Sequence, residues 1–173
     1  MTSQPSSNLA PSDAVVALRS FPRRYRGVFA SVEGDDGIEA LAARLGPDGE
    51  SAAGVVSDVT RTWALLTEAL RQIVFTDGAV LHPAVGDARQ RSWDDGHPDA
   101  LDDTLVLLGH EADALADLVG RVTTAQDWSR EAPVAGGGTV TAVAVLRDAV
   151  QVGATGLARA EAILRAVRGA GEP

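Results

Sequence analysis

The sequence predicts an all-α protein, a four-helix bundle with long crossover connections, and three observations carry that expectation. Four segments place apolar residues at helical spacing, and none shows the strict alternation of a half-buried strand. No unit repeats at a period of about 20–50 residues, which sets helical solenoids aside. The 173 residues suit one domain, large enough to bury a core without covalent staples. The expected organisation is a disordered polar tail over residues 1–11, then a single helical domain over 12–173.

The first ordered stretch begins at Ser12 and Asp13. Pro22 follows Ser20 and Phe21 where a helix start tolerates proline, since that position needs no amide donor. A helix is therefore expected over residues 22–32, with Tyr25, Val28, Phe29 and Val32 on its apolar stripe. After the acidic turn at 33–37, a short helix over 38–45 ends at Gly46 and Pro47. Ser51 reads as the N-cap of a long second helix, with Val55, Val59, Trp63, Leu66, Leu70 and Ile73 recurring on one face. Residues 76–98 hold no clean period and form a long connection, a candidate pocket rim from which Val80, Leu81 and Trp93 fold back onto the bundle. A third helix spans 99–122, marked by Leu101, Leu105, Leu108, Ala112, Leu115, Val119 and Val122. Residues 123–138, with Gly136, Gly137 and Gly138, suit a crossover with a flexible hinge, after which Thr139 caps the last helix.

Composition removes several kinds of chemistry. The chain has no cysteine, so disulfides, thiolate metal sites and cysteine nucleophiles are absent. All 15 basic residues are arginine, which excludes a Schiff-base lysine, a pyridoxal phosphate anchor and a P-loop lysine. A formal charge of −9 disfavours nucleic acid and anionic membranes as partners. No stretch approaches the roughly 18 apolar residues of a membrane span, and the first residues lack the apolar core of a signal peptide, so the cytoplasm is the expected compartment. The basic cluster Arg23, Arg24 and Arg26 reads as a solvated helix face or as an anion site.

On this framework the chain resembles the DinB-like superfamily of four-helix bundles, which includes mycothiol-dependent maleylpyruvate isomerases. The resemblance rests on Arg24-Tyr25-Arg26 in the first helix, on residues 49–59 (Gly-Glu-Ser-Ala-Ala-Gly-Val-Val-Ser-Asp-Val), on Trp93-Asp94, on Asp127-Trp128 and on residues 149–164. It implies a divalent metal held by one ligand on the second helix and two ligands a turn apart on the last. Carried onto this chain, the first position falls at Asp58. The pair falls at Gln151 and Thr155, or with a one-residue slip at Val152 and Gly156. From Ala149 to Ala158 there is no His, Asp, Glu or Cys. One carboxylate holds a divalent ion weakly against the cost of stripping its water, so no metal and no other cofactor is expected.

Two classes of function follow. The first is a divergent bundle that has lost the metal site and binds a small molecule or serves a structural role. The second is a metal-independent transferase, isomerase or cyclase that uses Asp58 as general base. A mycothiol-dependent transferase is the weaker form of the second, because the family's route holds the thiolate on the metal. The candidate pocket residues are Trp63, Trp93, Gln151, Val152, Thr155 and Gly156, and Asp58 either faces that pocket or lies on a flank in water. A small molecule is the expected partner. The resemblance also suggests a homodimer, although the apolar stripes can be satisfied within one chain. A rebuilt metal site would need His82, His97 or His110 to converge, and a solvated turn explains His97 beside Asp94 and Asp95. The three consecutive glycines lack the dinucleotide and P-loop patterns, so the hinge is preferred there to an anion cradle.

Overall fold

The computed structural model of the chain describes residues 9–30, 37–91 and 100–169. Four long helices build it: α1 (Pro11–Ala30), α3 (Ala52–Phe75), α5 (Leu101–Arg121) and α7 (Ala142–Gly169). Shorter pieces lie between them: α2 (Ile38–Ala43), α4 (Pro83–Gly86), a 3₁₀ turn at Ala88–Gln90, and α6 (Ala125–Ser129). A hairpin of β1 (Glu131–Pro133) and β2 (Thr139–Thr141) precedes α7. The four-helix bundle expected from the apolar periodicity is the fold.

Its connectivity follows from the cross-helix pairs. Helix α3 packs beside α5 and α7, and α1 packs beside the same two, so α1 faces α3 across one diagonal. Trp63 meets Ala149 while Val59 meets Gly156, so α3 and α7 are antiparallel. Phe21 lies at Gly153 and Tyr25 at Gly156, so α1 and α7 are parallel. Arg19 pairs with Asp117 and Arg26 approaches Gly109, which makes α5 antiparallel to α1. The order is therefore up, down, down, up. Two neighbouring parallel helices, α3 and α5, require a connection that travels the length of a helix, which accounts for the long stretch after Phe75.

Several local expectations are corrected. Helix α1 does not begin at Pro22 but at Pro11, and Pro22 sits buried in its interior. An internal proline forgoes one backbone bond at about 3 kcal/mol. Packing offsets it, because the neighbouring Phe21 and Tyr25 are 2% and 0% exposed. Residues 123–138 are not a flexible crossover. Glu131 pairs with Thr141 and Pro133 with Thr139, and all three glycines of the turn have positive φ, a conformation natural to glycine. Thr139 lies in β2 and does not cap α7, since Thr141 Oγ1 accepts from the Ala144 amide. Leu81 folds into the core while Val80 stays 61% exposed. Ser51 does cap α3, its hydroxyl accepting from the Gly54 amide at 3.0 Å.

The core is sealed where α1, α3 and α7 meet. The Phe21 and Trp63 rings lie 5.8 Å apart and tilted, Trp63 Nε1 donates to the Ala149 carbonyl at 2.9 Å, and the Tyr25 hydroxyl donates to the Gly153 carbonyl at 2.9 Å. Both polar tips are thus satisfied within an apolar interior. A methyl group on Gly153 would lie 2.7 Å from the Trp63 ring, and one on Gly156 would lie 2.6 Å from the Tyr25 hydroxyl. These glycines set how closely α7 approaches its neighbours. No helix among the described residues is long and apolar enough to cross a membrane.

Candidate functional site

On α7, Gln151, Thr155 and Arg159 recur every four residues and so stand in one row. On α3, Val55, Asp58, Val59 and Thr62 face that row. Between them lies a pocket of about 290 Å³, with Val152 and Gly156 on its α7 side and Arg91 and Ala88 closing it from the long connection. Asp58, Gln151, Val152, Thr155 and Gly156, five of the residues singled out from the sequence, therefore come together. Trp63 does not line this pocket. It is 0% exposed and belongs to the sealed core, because an indole on the inward stripe of α3 finds its polar partner in the Ala149 carbonyl. Trp93, Asp94, Asp95 and His97 lie outside the described residues.

Two ion pairs bracket the pocket. At one end Arg91, whose side chain is 9% exposed, binds Asp148 of α7 and donates through Nε to the Ala84 carbonyl at 2.9 Å. At the other, Arg159 binds Glu50, the residue just before the α3 cap. Between them Gln151 Nε2 donates to Thr155 Oγ1 at 2.8 Å. Asp58 has its carboxyl pushed above the ordinary value, chiefly by partial burial and next by the charge of Glu50, with Arg159 and Arg61 pulling the other way. The site combines the Asp58 carboxyl, the Gln151 amide, the hydroxyls of Thr62 and Thr155 and a valine wall, with the paired Arg91–Asp148 and Arg159 at its ends.

Arg91, Asp148 and Arg159 were not among the residues picked from the sequence. Asp148 and Arg159 flank the stretch without metal-binding side chains on either side, and their helical spacing to Gln151 and Thr155 was the available signal. Arg91 carried none, since it sits in a connection without a period. The other histidines are apart from the pocket. His82 caps α4 through Nδ1, and His110 is exposed on α5.

The donor set does not fit a divalent ion. Asp58 lines the pocket, the carboxylates nearest along the site, Glu50 and Asp148, are each bound to an arginine, and Gly156 offers no side chain. Among the described residues no three of His, Cys, Asp and Glu come together.

No protein-family model matches the chain, and no curated protein matches it. The bundle is similar to a solved structure of four-helix bundle topology. That structure is YfiT from Bacillus subtilis, described as a probable metal-dependent hydrolase with an unusual four-helix bundle topology. It shares 16% identity and a TM-score of 0.71, over 99% of this chain and 95% of that one. At that identity the comparison carries the fold and leaves the chemistry to the residues of this chain.

Proposed function

We propose that this protein is a divergent bundle without the metal centre its fold suggests, and that it binds a small organic molecule in the pocket between α3 and α7. The supporting observation is the convergence of Asp58, Gln151 and Thr155 with Val55, Val59 and Val152 around about 290 Å³. That volume stands at the lower edge of the roughly 300–1,000 Å³ of ordinary ligand sites, so the ligand is small. The valines take its apolar part, and the amide, hydroxyl and carboxyl orient its polar groups.

A second reading has a specific observation in its favour. Partial burial raises the Asp58 carboxyl toward the range of a general base, so a metal-independent isomerase, transferase or cyclase can use it to take a proton from a bound substrate. The thiol-transfer version is disfavoured, because the two guanidinium groups that line the pocket, Arg91 and Arg159, are already bound to carboxylates and so are not free to hold a thiolate.

The test begins with protein purified without a histidine tag. Metal analysis is expected to find far less than one ion per chain, and mass spectrometry of the denatured extract to find a retained small molecule. Val152→Phe is expected to abolish retention while leaving helical content unchanged. Stoichiometric, chelator-resistant metal would overturn the proposal. Asp58→Asn separates the two readings by the identity of the retained molecule: a binding protein returns the same molecule from variant and parent, whereas an enzyme deprived of its base accumulates unconverted substrate in place of the molecule found in the parent.

A further inference from the structure

The opposite flank of α7 carries a second concavity, distinct from the pocket just described. Arg165 and Arg168 stand three residues apart and so share one face of α7, and Arg24 faces them from α1. The groove they line encloses about 590 Å³, with Val28 and Leu164 as its apolar part. Among the described residues none of these arginines pairs with a carboxylate. Arg24 lies over the Phe21 ring, its guanidinium carbon 5.6 Å from the ring centre, a cation-π contact that leaves its charge without a carboxylate. Against the three cations the groove holds one carboxylate, Glu161.

The chain is acidic, with 24 acidic residues to 15 arginines, and Arg19, Arg71, Arg89, Arg91, Arg130 and Arg159 are each taken up by a carboxylate, whereas among the described residues the three arginines of this groove are not. Three uncommitted guanidinium groups around one concavity repel one another and create a local positive field on an otherwise negative protein. A planar guanidinium fork matches the oxygens of a phosphate or carboxylate two at a time, so three of them suit a doubly charged oxyanion. The neighbouring Val28 and Leu164 add room for an apolar substituent.

We propose that the α1/α7 groove is a binding site for a phosphate monoester bearing a small apolar group, held by Arg24, Arg165 and Arg168. The site shares no residue with the α3/α7 pocket, so it stands or falls independently of the function proposed above.

The experiment is calorimetric titration of the full chain with phenyl phosphate, inorganic phosphate and phenol at low ionic strength. Saturable one-to-one binding is expected for phenyl phosphate, weaker binding for inorganic phosphate and none for phenol. Arg24→Gln and Arg165→Gln should each weaken phenyl phosphate about tenfold, the loss of one charge-assisted hydrogen bond. Gly27→Glu is the second variant, because a Cβ there meets nothing within 4 Å and Gly27 lines the groove, so the substitution brings a competing carboxylate to it. It should abolish binding without lowering thermal stability, and Asp58→Asn should leave binding unchanged. Absence of saturation in the millimolar range, or equal affinity in Gly27→Glu and the parent, would overturn the proposal: the groove arginines would then be solvated surface charges, with Arg168 serving the C-terminal end of α7.

Discussion

Residues one or two positions apart on α7 live under opposite constraints. Gly153 and Gly156 are buried with no room for a methyl group, while Gln151 and Thr155 are exposed and open onto the pocket. The inner row is held by shape, with Phe21, Tyr25 and Trp63 filling the space that two missing side chains leave. The outer row is held by charge and hydrogen bonds, through Arg91 with Asp148, Arg159 with Glu50, and Gln151 with Thr155. The contrast teaches that stability and pocket chemistry are carried by adjacent rows of the same helix, which meet at Gly156, packed against Tyr25 and Val59 and also part of the pocket wall. An amphipathic helix can exchange its polar row freely as long as its packed row is kept.

The comparison is broken most forcefully at Trp63. Trp63→Ala removes the largest fully buried side chain and is expected to cost about 3–5 kcal/mol in urea denaturation, the range for deleting a buried aromatic. A loss below about 1 kcal/mol would show that the inner row does not hold the bundle.

Arg91 sharpens the comparison, because it is the member of the outer row that is itself nearly buried. Arg91→Ala leaves Asp148 without its guanidinium and frees the Ala84 carbonyl, at an expected cost of about 1–3 kcal/mol. A double-mutant cycle with Asp148→Ala should return a coupling of about 0.5–3 kcal/mol, and a coupling of zero would remove this pair from the account of the pocket's end.

Asp58→Asn is the smallest change, and its sign is fixed. Burial raises the folded-state value of the carboxyl above the unfolded one, so the folded chain binds the proton more tightly. Stability from this group is full below the unfolded value and is lost as pH rises through the folded one. The asparagine variant should therefore melt slightly higher than the parent at about pH 7 and equally at about pH 3. A variant that melts lower at neutral pH would mean that the attraction of Arg159 and Arg61 outweighs burial.

Much of this was legible in the chain. Long helices with a single apolar stripe announce a bundle, and Ser51 announced the start of α3 because a hydroxyl at that position satisfies an otherwise unpaired amide. The pocket residues Asp58, Gln151, Val152, Thr155 and Gly156 were singled out because the resemblance carried a ligand pattern onto them in two alternative registers, and the structure sets both registers around one pocket, since residues one and four apart on α7 share that flank. Pro22 misled because proline's local preference for a helix start was overruled by the burial of its neighbours. The three glycines misled because flexibility in an isolated peptide and a left-handed turn in a hairpin require the same residue. Trp63 was legible as aromatic and inward, but the choice between pocket wall and core depended on the Ala149 carbonyl, which only the packed helices bring near it.

The hairpin before α7 is tied to the connection after α3 at one residue. The Leu81 amide donates to the Pro133 carbonyl at 2.8 Å, and the Ala135 amide donates to the Leu81 carbonyl at 2.9 Å. Val134 then packs against Gly86, four residues before the 3₁₀ turn ends and Arg91 reaches Asp148. Two loops on either side of α5 thus behave as one clasp over the pocket's end. An insertion in either loop must respect the other, so this rim can diversify in length only on the solvent side of the clasp, at the exposed turn around Gly78 or at the glycine tip of the hairpin.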